Sequence, residues 1–176
     1  AFAMVTVLLD GYNVIYAVPE LSRHMDRSLQ SAREALVRLC QEYRRRRGDI
    51  GRLYVVFDGR DAYASGSPEQ HGGSVTVCFT HQPEEADERI LRLIESEKGR
   101  SRCVVVSNDN EVVNNARAFG ARVISVQTFY EPARSLSARQ PAPRAIPGKV
   151  VLPSHAAQRI TEEYRKHLEG KTKKKT

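Results

Sequence analysis

The 176-residue sequence contains no tryptophan, only three cysteines, and no apolar run that approaches 18 residues. A chain without such a run is not expected to cross a membrane as a helix, so we expect no membrane partner. Cys40, Cys78 and Cys103 are widely separated and form no CxxC pair, which favours buried, reduced thiols. The five histidines also lack the spacing of a zinc site. Because no signal-peptide pattern is present, the sequence predicts a cytoplasmic protein.

The sequence motifs of common nucleotide-binding enzymes are also missing. No GxxxxGK[ST] phosphate loop occurs, and no GxGxxG follows the first apolar segment, which argues against nucleotide hydrolysis and dinucleotide binding. Aspartyl-phosphate enzymes usually carry a second acid two residues after the nucleophile. In this chain that position is Tyr12, which argues against that class.

The length and the 40% hydrophobic content are sufficient for one domain with a substantial core. From residue 5 to about residue 130, apolar runs alternate with helical periodicities, which is typical of βαβ units and a mostly parallel sheet. We therefore expect an α/β domain with five strands. The predicted strands cover residues 5–9, 53–57, 75–80, 103–106 and 122–126, and the main predicted helices cover about 29–47, 84–98 and 110–119.

Two of the segments between these strands have features of their own. Residues 59–74 are polar and rich in Gly and Ser, so they predict a loop beside the strand ends and a candidate substrate flap. The helix over about 29–47 is expected to begin at a capping box of Ser31 and Glu34. It ends in four arginines, Arg44–Arg47, where cations stabilise the helix dipole. RNA contact explains these arginines about equally well.

Four aspartates follow apolar segments of the predicted sheet: Asp10, Asp58, Asp87 and Asp109. Any one of them alone is more often a turn or helix-cap residue, but four together weaken that reading. Parallel strands would gather the four side chains at one sheet edge, where carboxylates repel one another unless a cation lies among them. Carboxylates are typical ligands of Mg²⁺ and Mn²⁺. Asn13, one turn after Asp10, would orient a water molecule or a phosphate.

The positive charge of the chain is concentrated at its end. Residues 1–132 carry 17 Lys and Arg against 18 Asp and Glu, whereas residues 133–176 carry 11 against 3. An acidic pocket with a basic appendage suits a polyanionic partner, whose phosphates the appendage would gather. A role in solubility explains Lys171–Lys175 about equally well.

The composition also predicts three regions. Residues 1–131 form the α/β domain, and residues 132–153 contain five prolines and predict an extended linker. Residues 154–176 carry a narrow apolar stripe and then a lysine-rich tail. We expect the stripe to form an amphipathic helix that packs on the body of the protein.

Four short motifs together resemble the NYN/PIN-like metal-dependent ribonucleases, with the closest likeness to the bacterial YacP-type branch, which includes a ribosome-associated endoribonuclease that cleaves mRNA. The motifs are Asp10-Gly-Tyr-Asn13, Val-Val-Phe-Asp58, Glu85-Ala-Asp87-Glu88-Arg89-Ile90 and Val-Ser107-Asn108-Asp109. The resemblance covers about residues 4–130. It implies a PIN-like three-layer α/β/α fold with a mainly parallel five-stranded sheet, here followed by a basic C-terminal extension.

The resemblance further implies that Asp10, Asp87 and Asp109 ligate Mg²⁺ or Mn²⁺, with Asn13 as the polar fourth member and Asp58 as an outer ligand. The implied activity is endonucleolytic hydrolysis of single-stranded RNA that leaves 5′-phosphate and 3′-hydroxyl ends. The implied partners are RNA, including mRNA, and the ribosome. The proline-rich and lysine-rich end departs from the usual terminal helix of the family.

Two other functions are compatible with the sequence. The first is a non-catalytic RNA-binding or ribosome-binding module, although such a module gains nothing from concentrated negative charge near phosphates. The second is a structure-selective DNA nuclease, since related PIN-like folds cut DNA flaps. The sequence lacks an obvious duplex-binding module, which ranks DNA below RNA. No oligomeric state is predicted.

Overall fold

The computed structural model describes residues 3–59, 69–72, 75–81 and 83–137. These residues contain a six-stranded sheet with the strand order β3-β4-β2-β1-β5-β6. The strands are β1 (Val5–Asp10), β2 (Ile50–Phe57), β3 (Glu69–Gly72), β4 (Val75–Phe79), β5 (Cys103–Val106) and β6 (Arg122–Ile124). Five of them run parallel, and β3 alone pairs antiparallel, with β4. The predicted α/β fold with five mainly parallel strands is confirmed.

Helices cover both faces of the sheet. They are α1 (Gly11–Ala17), α2 (Pro19–Ser22), α3 (Leu29–Arg46), α4 (Ala86–Ser96), α5 (Asn110–Ala118) and α6 (Val126–Ser137). Along β1, Leu9 enters the core that contains Leu36 of α3, whereas Leu8 enters the core that contains Ile90 of α4. This alternation follows from the two-residue period of a strand and gives three layers, α/β/α.

The three cysteines belong to these cores. Cys40, Cys78 and Cys103 are all buried and free, which confirms the prediction of reduced thiols. No helix among the described residues is both long and apolar enough to cross a membrane.

Helix α3 begins earlier than its predicted capping box. Ser28 is the N-cap residue, and its hydroxyl accepts a hydrogen bond from the backbone amide of Ser31 at 3.0 Å. Ser31 therefore lies inside the first turn, and the predicted box of Ser31 and Glu34 was wrong. A second predicted helix boundary is correct, because Gly120 follows α5 with a φ of 90°, a conformation that glycine adopts without strain.

The four arginines at the end of α3 have hydrogen-bond or ion-pair partners within the protein. The partners are Gly51 O for Arg44, Glu42 for Arg45 and Arg46, and Asp49 for Arg47. The contacts of Arg44 and Arg47 hold the helix end against the start of β2, whereas Glu42 lies within α3 itself. Arg44–Arg47 therefore have a structural role, and their contact with RNA stays a prediction.

The predicted loop over residues 59–74 contains a strand. Strand β3 occupies Glu69–Gly72 and forms the edge of the sheet, so β4 is an internal strand and not an edge. Residues 60–68 and 73–74, where the candidate flap was predicted, lie outside the described residues.

The sequence pattern did not predict helix α6. The last strand ends at Ile124, and the helix continues through Pro132 to Ser137, so residues 132–137 are helical and not extended linker. Proline normally interrupts a helix. Here the neighbouring Phe129 is buried and its ring lies 5.0 Å from that of Tyr43 on α3, a packing contact that favours the continuous helix. The remainder of the predicted linker and the terminal helix, residues 138–176, lie outside the described residues.

Candidate active site

The aspartates predicted from the strand ends lie at the carboxyl edge of the sheet. Strand β1 sits between β2 and β5, and Asp10 is its last residue. Asp58 directly follows β2, and Asp109 comes three residues after β5 ends. Asp87 reaches the same region from the first turn of α4. Parallel pairing brings these chain ends together, as the sequence pattern indicated.

Asp10 has the most perturbed carboxyl group of this edge. Its pKa is raised from 3.8 to about 7, mainly because burial penalises the charged carboxylate. The negative charge of Asp109 raises the pKa further, and that of Asp87 adds to it. The structure therefore brings Asp10, Asp87 and Asp109 into electrostatic contact. A strongly shifted acid with two acidic neighbours is a typical feature of a functional site.

A hydrogen-bond network fixes Asp10 from the neighbouring strand end. The hydroxyl of Ser107 lies 3.3 Å from Asp10 Oδ2 and 3.3 Å from Asn13 Oδ1, so its one proton serves both oxygens. The same hydroxyl oxygen accepts a hydrogen bond from the amide of Asp109 at 3.1 Å. Asn13 Oδ1 also accepts from the amide of Asn108 at 2.7 Å. The oxygen of Asn13 thus joins α1 to the end of β5.

Gly11 lets helix α1 begin directly after Asp10. A Cβ atom at this position would lie 2.4 Å from the ring of Phe57 and 3.0 Å from Val56 O. A side chain would therefore push the first turn of α1 away from β2. The glycine of the DGYN motif is explained by this close approach, and not by an unusual backbone angle.

Asp109 and Asp87 also have local roles. Asp109 is the N-cap of α5, where its Oδ1 accepts from the amides of Glu111 at 2.8 Å and Val112 at 3.2 Å. Asp87 Oδ1 accepts from the amide of Glu88 at 3.0 Å. Helix capping is thus a real function of Asp109, and it coexists with the charge interaction with Asp10.

Asp58 is held apart from this group. The Thr80 hydroxyl lies 3.4 Å from Asp58 Oδ1 and accepts from the amide of Gly59 at 3.2 Å. The approach is close, since a Cβ atom on Gly59 would fall 1.3 Å from Thr80 O. Asp58 is not among the groups that shift the pKa of Asp10. It lies beside β4, which fits an outer position and not a direct partner of Asp10.

The acidic side chains at the carboxyl edge are possible ligands of a metal ion. Within the part of the chain that the structure describes, no three His, Cys, Asp or Glu side chains are arranged to hold a metal. The donor chemistry still fits a hard divalent cation, since Mg²⁺ takes one or two carboxylates, with water and phosphate as further ligands. A cation beside Asp10 would also offset the repulsion that raises its pKa. Asp10 would hold it, with Asp87 and Asp109 as neighbouring acids.

Asn108 links this site to helix α6, a connection that the sequence did not reveal. Its Oδ1 accepts from the amide of Val126 at 2.9 Å, and its Nδ2 donates to Gln127 Oε1 at 3.1 Å. The start of α6 is therefore tied to the residue that also contacts Asn13. Gln127 carried no recognisable signal, because its role depends on where α6 begins.

Arg33 is a second residue that the sequence did not single out. It is buried on α3, and its Nε donates to the Tyr12 hydroxyl at 2.8 Å, with a second bond from Nη2. The guanidinium also lies over the rings of Tyr12, Phe57 and Phe79, 5.3 to 5.8 Å from their centres. Tyr12 precedes Asn13, so this cation anchors the first turn of α1 at the site.

Comparisons with known proteins identify the family of the chain. The family model of the YacP-like NYN domain matches residues 7–173. The chain is 37% identical over 90 residues to the uncharacterized protein YacP of Bacillus subtilis (strain 168), an alignment that covers 51% of this chain and 51% of that protein. The chain therefore aligns with about half the length of this curated relative.

Two solved structures are similar in fold. A crystal structure of a mutant of Rae1 (YacP) from Bacillus subtilis has a TM-score of 0.63 and 29% identity, and the match covers 77% of this chain and 79% of that one. Another crystal structure of Rae1 (YacP) has a TM-score of 0.62 over 97% of this chain and 90% of that one; at 24% identity it supports the fold alone. The chain belongs to the YacP-like NYN domain family, whose fold is generally that of a nuclease.

Proposed function

We propose that this protein is an endoribonuclease that uses Mg²⁺ or Mn²⁺ to hydrolyse single-stranded RNA. The observation that carries the proposal is the meeting of Asp10, Asp87 and Asp109 at the carboxyl edge of the sheet, where Asp10 is only partly exposed and the charges of its two neighbours help to raise its pKa to about 7. Such a group is costly for a protein that only binds RNA, since it repels phosphates. An acidic group of this kind is useful at a site that binds a cation together with a phosphodiester. Membership of a family with a nuclease fold supports the same reading.

The divalent ion, when bound, would polarise the phosphodiester and lower the pKa of the attacking water. Asp10 would bind the ion through its ionised carboxylate, and Asp87 and Asp109 would add negative charge around it. Ser107 donates a hydrogen bond to Asp10, which favours the ionised form that a cation requires. Asn13, which Ser107 and Asn108 hold in place, would orient a phosphate oxygen or a water molecule.

The proposed substrate is mRNA on the ribosome and the proposed products have 5′-phosphate and 3′-hydroxyl ends, as the motif resemblance implies, and the proposed compartment is the cytoplasm. The basic segment 133–176 suits a role in gathering RNA phosphates around the acidic site. A DNA substrate ranks below RNA, because the sequence lacks an obvious duplex-binding module.

A cleavage assay tests the proposal. A single-stranded RNA labelled at one end is incubated with the full chain and Mg²⁺ or Mn²⁺, and a DNA of the same sequence is run in parallel. We expect internal cleavage of the RNA, and we expect Asp10→Asn and Asp87→Asn to abolish it while RNA binding persists. Asp26→Asn is the matched control, because Asp26 is an exposed acid in the turn that precedes α3.

The outcomes separate the alternatives. Full activity of the Asp10→Asn, Asp87→Asn double variant would exclude the proposed centre. Tight RNA binding with no cleavage in either metal would favour the non-catalytic module, and preferential cleavage of the DNA would favour the DNA nuclease.

A further inference from the structure

A second concave site lies at the opposite edge of the sheet. It is a groove of about 560 Å³ that the first residues of three strands, Val5, Ile50 and Arg122, help to line. Asp10 is at the other end of β1, about 16 Å away for a strand of this length. The groove is therefore separate from the candidate active site.

The floor and walls of the groove are largely apolar. Val104 and Ile124 contribute from the sheet, and Phe129 and Pro132 from α6. Its volume falls within the range of ordinary small-ligand sites, which combine apolar walls with a few polar groups. The groove is thus large enough to receive a nucleobase.

The rim of the groove is cationic. Arg117, in the last turn of α5, and Arg122, at the start of β6, are both exposed, and neither forms an ion pair with any described residue. Arg47, by contrast, is paired with Asp49 at 2.7 Å. Two cations without acidic partners beside an apolar groove complement a ligand that has both an anionic and an apolar part.

We propose that this groove binds one nucleotide of an RNA strand, with the base against the apolar walls and the phosphates beside Arg117 and Arg122. The choice of RNA rests on the proposed function, because the groove indicates the chemistry of the ligand and the proposed nuclease activity indicates its class. The chain's own segment 138–176 is a poor occupant, since it carries 10 Lys and Arg against 3 acids. A second copy of this cationic rim would also be repelled.

The test measures RNA binding without cleavage. The full chain with Asp10→Asn is mixed with a fluorescein-labelled single-stranded oligoribonucleotide in EDTA, and Kd is measured by anisotropy from 50 to 200 mM salt. Arg117→Glu with Arg122→Glu is compared with Arg38→Glu and Arg134→Glu. The control pair makes the same change in net charge at exposed arginines that do not line the groove.

We expect the groove pair to weaken binding at least about 10-fold more than the control pair. The plot of log affinity against log salt should flatten by about 1.4, from 0.7 per lost phosphate contact on a single strand. Equal losses in both pairs, or an unchanged slope, would overturn the proposal. If the Glu variants do not fold, Arg117→Gln with Arg122→Gln is measured against Arg38→Gln with Arg134→Gln under the same criteria.

Photocrosslinking locates the bound RNA independently of affinity. RNA that contains 4-thiouridine should crosslink to peptides of β6 or α6 in the Asp10→Asn protein, and crosslinks confined to other peptides would contradict the groove. The assays separate the two proposals, because the groove can fail while Asp10-dependent cleavage persists. Conversely, the groove can bind RNA in a protein that cleaves none.

Discussion

The hydroxyl of Ser107 donates to the carboxylate of Asp10 at 3.3 Å, although the two residues are 97 positions apart in the chain. The contact joins the ends of β5 and β1, which are adjacent strands of the sheet. It stabilises the ionised form of Asp10, whereas burial and the charges of Asp109 and Asp87 oppose that form. The ionisation of Asp10 therefore depends on a balance that single substitutions should shift in known directions.

Replacing Ser107 with Ala should raise the pKa of Asp10 above its value of about 7. The reason is that a hydrogen bond to a carboxylate favours the charged form, and the substitution removes that bond. NMR titration of the Asp10 carboxyl carbon in metal-free buffer measures the change. Ser96→Ala is the control, since the Ser96 hydroxyl bonds only within α4, to Leu93 O. An Asp10 pKa that stays the same or falls would contradict the assigned network.

Replacing Asp10 with Asn should stabilise the metal-free protein at pH 8. The folded pKa of Asp10 is about 7 against 3.8 ordinarily, so between these values the folded state binds the proton more tightly. This group therefore lowers the free energy of unfolding as pH rises from about 4 to 7, by at most about 4 kcal/mol at 1.36 kcal/mol per pKa unit. Well above pH 7, Asp10 is ionised in both the folded and the unfolded state, so its ionisation lowers the free energy of unfolding no further.

Urea unfolding at pH 5, 6, 7 and 8 in EDTA measures this effect. The difference in stability between Asp10→Asn and the parent protein should grow with pH and level off above pH 7. Asp26→Asn, at an exposed position, should show no such trend. A difference that is constant with pH would mean that Asp10 is not perturbed.

Replacing Gly11 with Ala should destabilise the fold by about 1–3 kcal/mol, the usual cost of overpacking a core. The new methyl group would meet the Phe57 ring at 2.4 Å and displace the first turn of α1, which carries Asn13. Gly48→Ala is a matched control, because a Cβ atom there has no neighbour within 4 Å. Thermal unfolding compares the two variants, and equal melting temperatures would refute the packing argument.

Replacing Tyr12 with Phe should cost about 1–3 kcal/mol, because the buried guanidinium of Arg33 then loses its hydroxyl acceptor. In an Arg33→Met background the same change should cost less. The double-mutant cycle from urea unfolding should therefore give a coupling energy of about 0.5–3 kcal/mol. A coupling near zero would mean that the two side chains act independently.

The sequence was sufficient to predict the parallel sheet and the edge at which the acids gather. At strand ends such as Leu9-Asp10, a buried apolar run is followed by a polar residue. Parallel pairing of the strands then brings these polar residues to the same edge of the sheet. The helix end at Gly120 was predictable for a similar local reason, since a left-handed residue there favours glycine.

Other features depend on tertiary packing and left no local signal. Helix α6 continues through Pro132 because Phe129 and Ala133 are buried against the rest of the domain. The number of prolines, from which a linker was predicted, contains no information about this burial. Strand β3 lies in a polar segment and pairs with a single neighbour, β4. Such an edge strand does not need the apolar pattern by which the internal strands were predicted. In the sequence, Arg33 does not differ from the other arginines of the predicted helix. Its contact with Tyr12 follows only from the fold.

The capping of α5 shows that one of the predicted metal ligands also has a role in the fold. Asp109 was read as a ligand, but its Oδ1 accepts two backbone amides of the helix that follows. One carboxylate thus contributes to helix capping and to the charge around Asp10. A sequence shows the residue type, whereas the division between these roles is a property of the folded edge.

Anomalous diffraction from crystals soaked in Mn²⁺ at pH 8 tests the central claim most directly, because it needs no knowledge of the RNA. We expect a peak coordinated by the carboxylate of Asp10, with Asp87 or Asp109 beside it, and we expect Asp10→Asn crystals to lack this peak. Carboxylates that stay separate with no peak between them, or a peak of equal height in the Asp10→Asn protein, would contradict a metal-dependent nuclease centre at this edge.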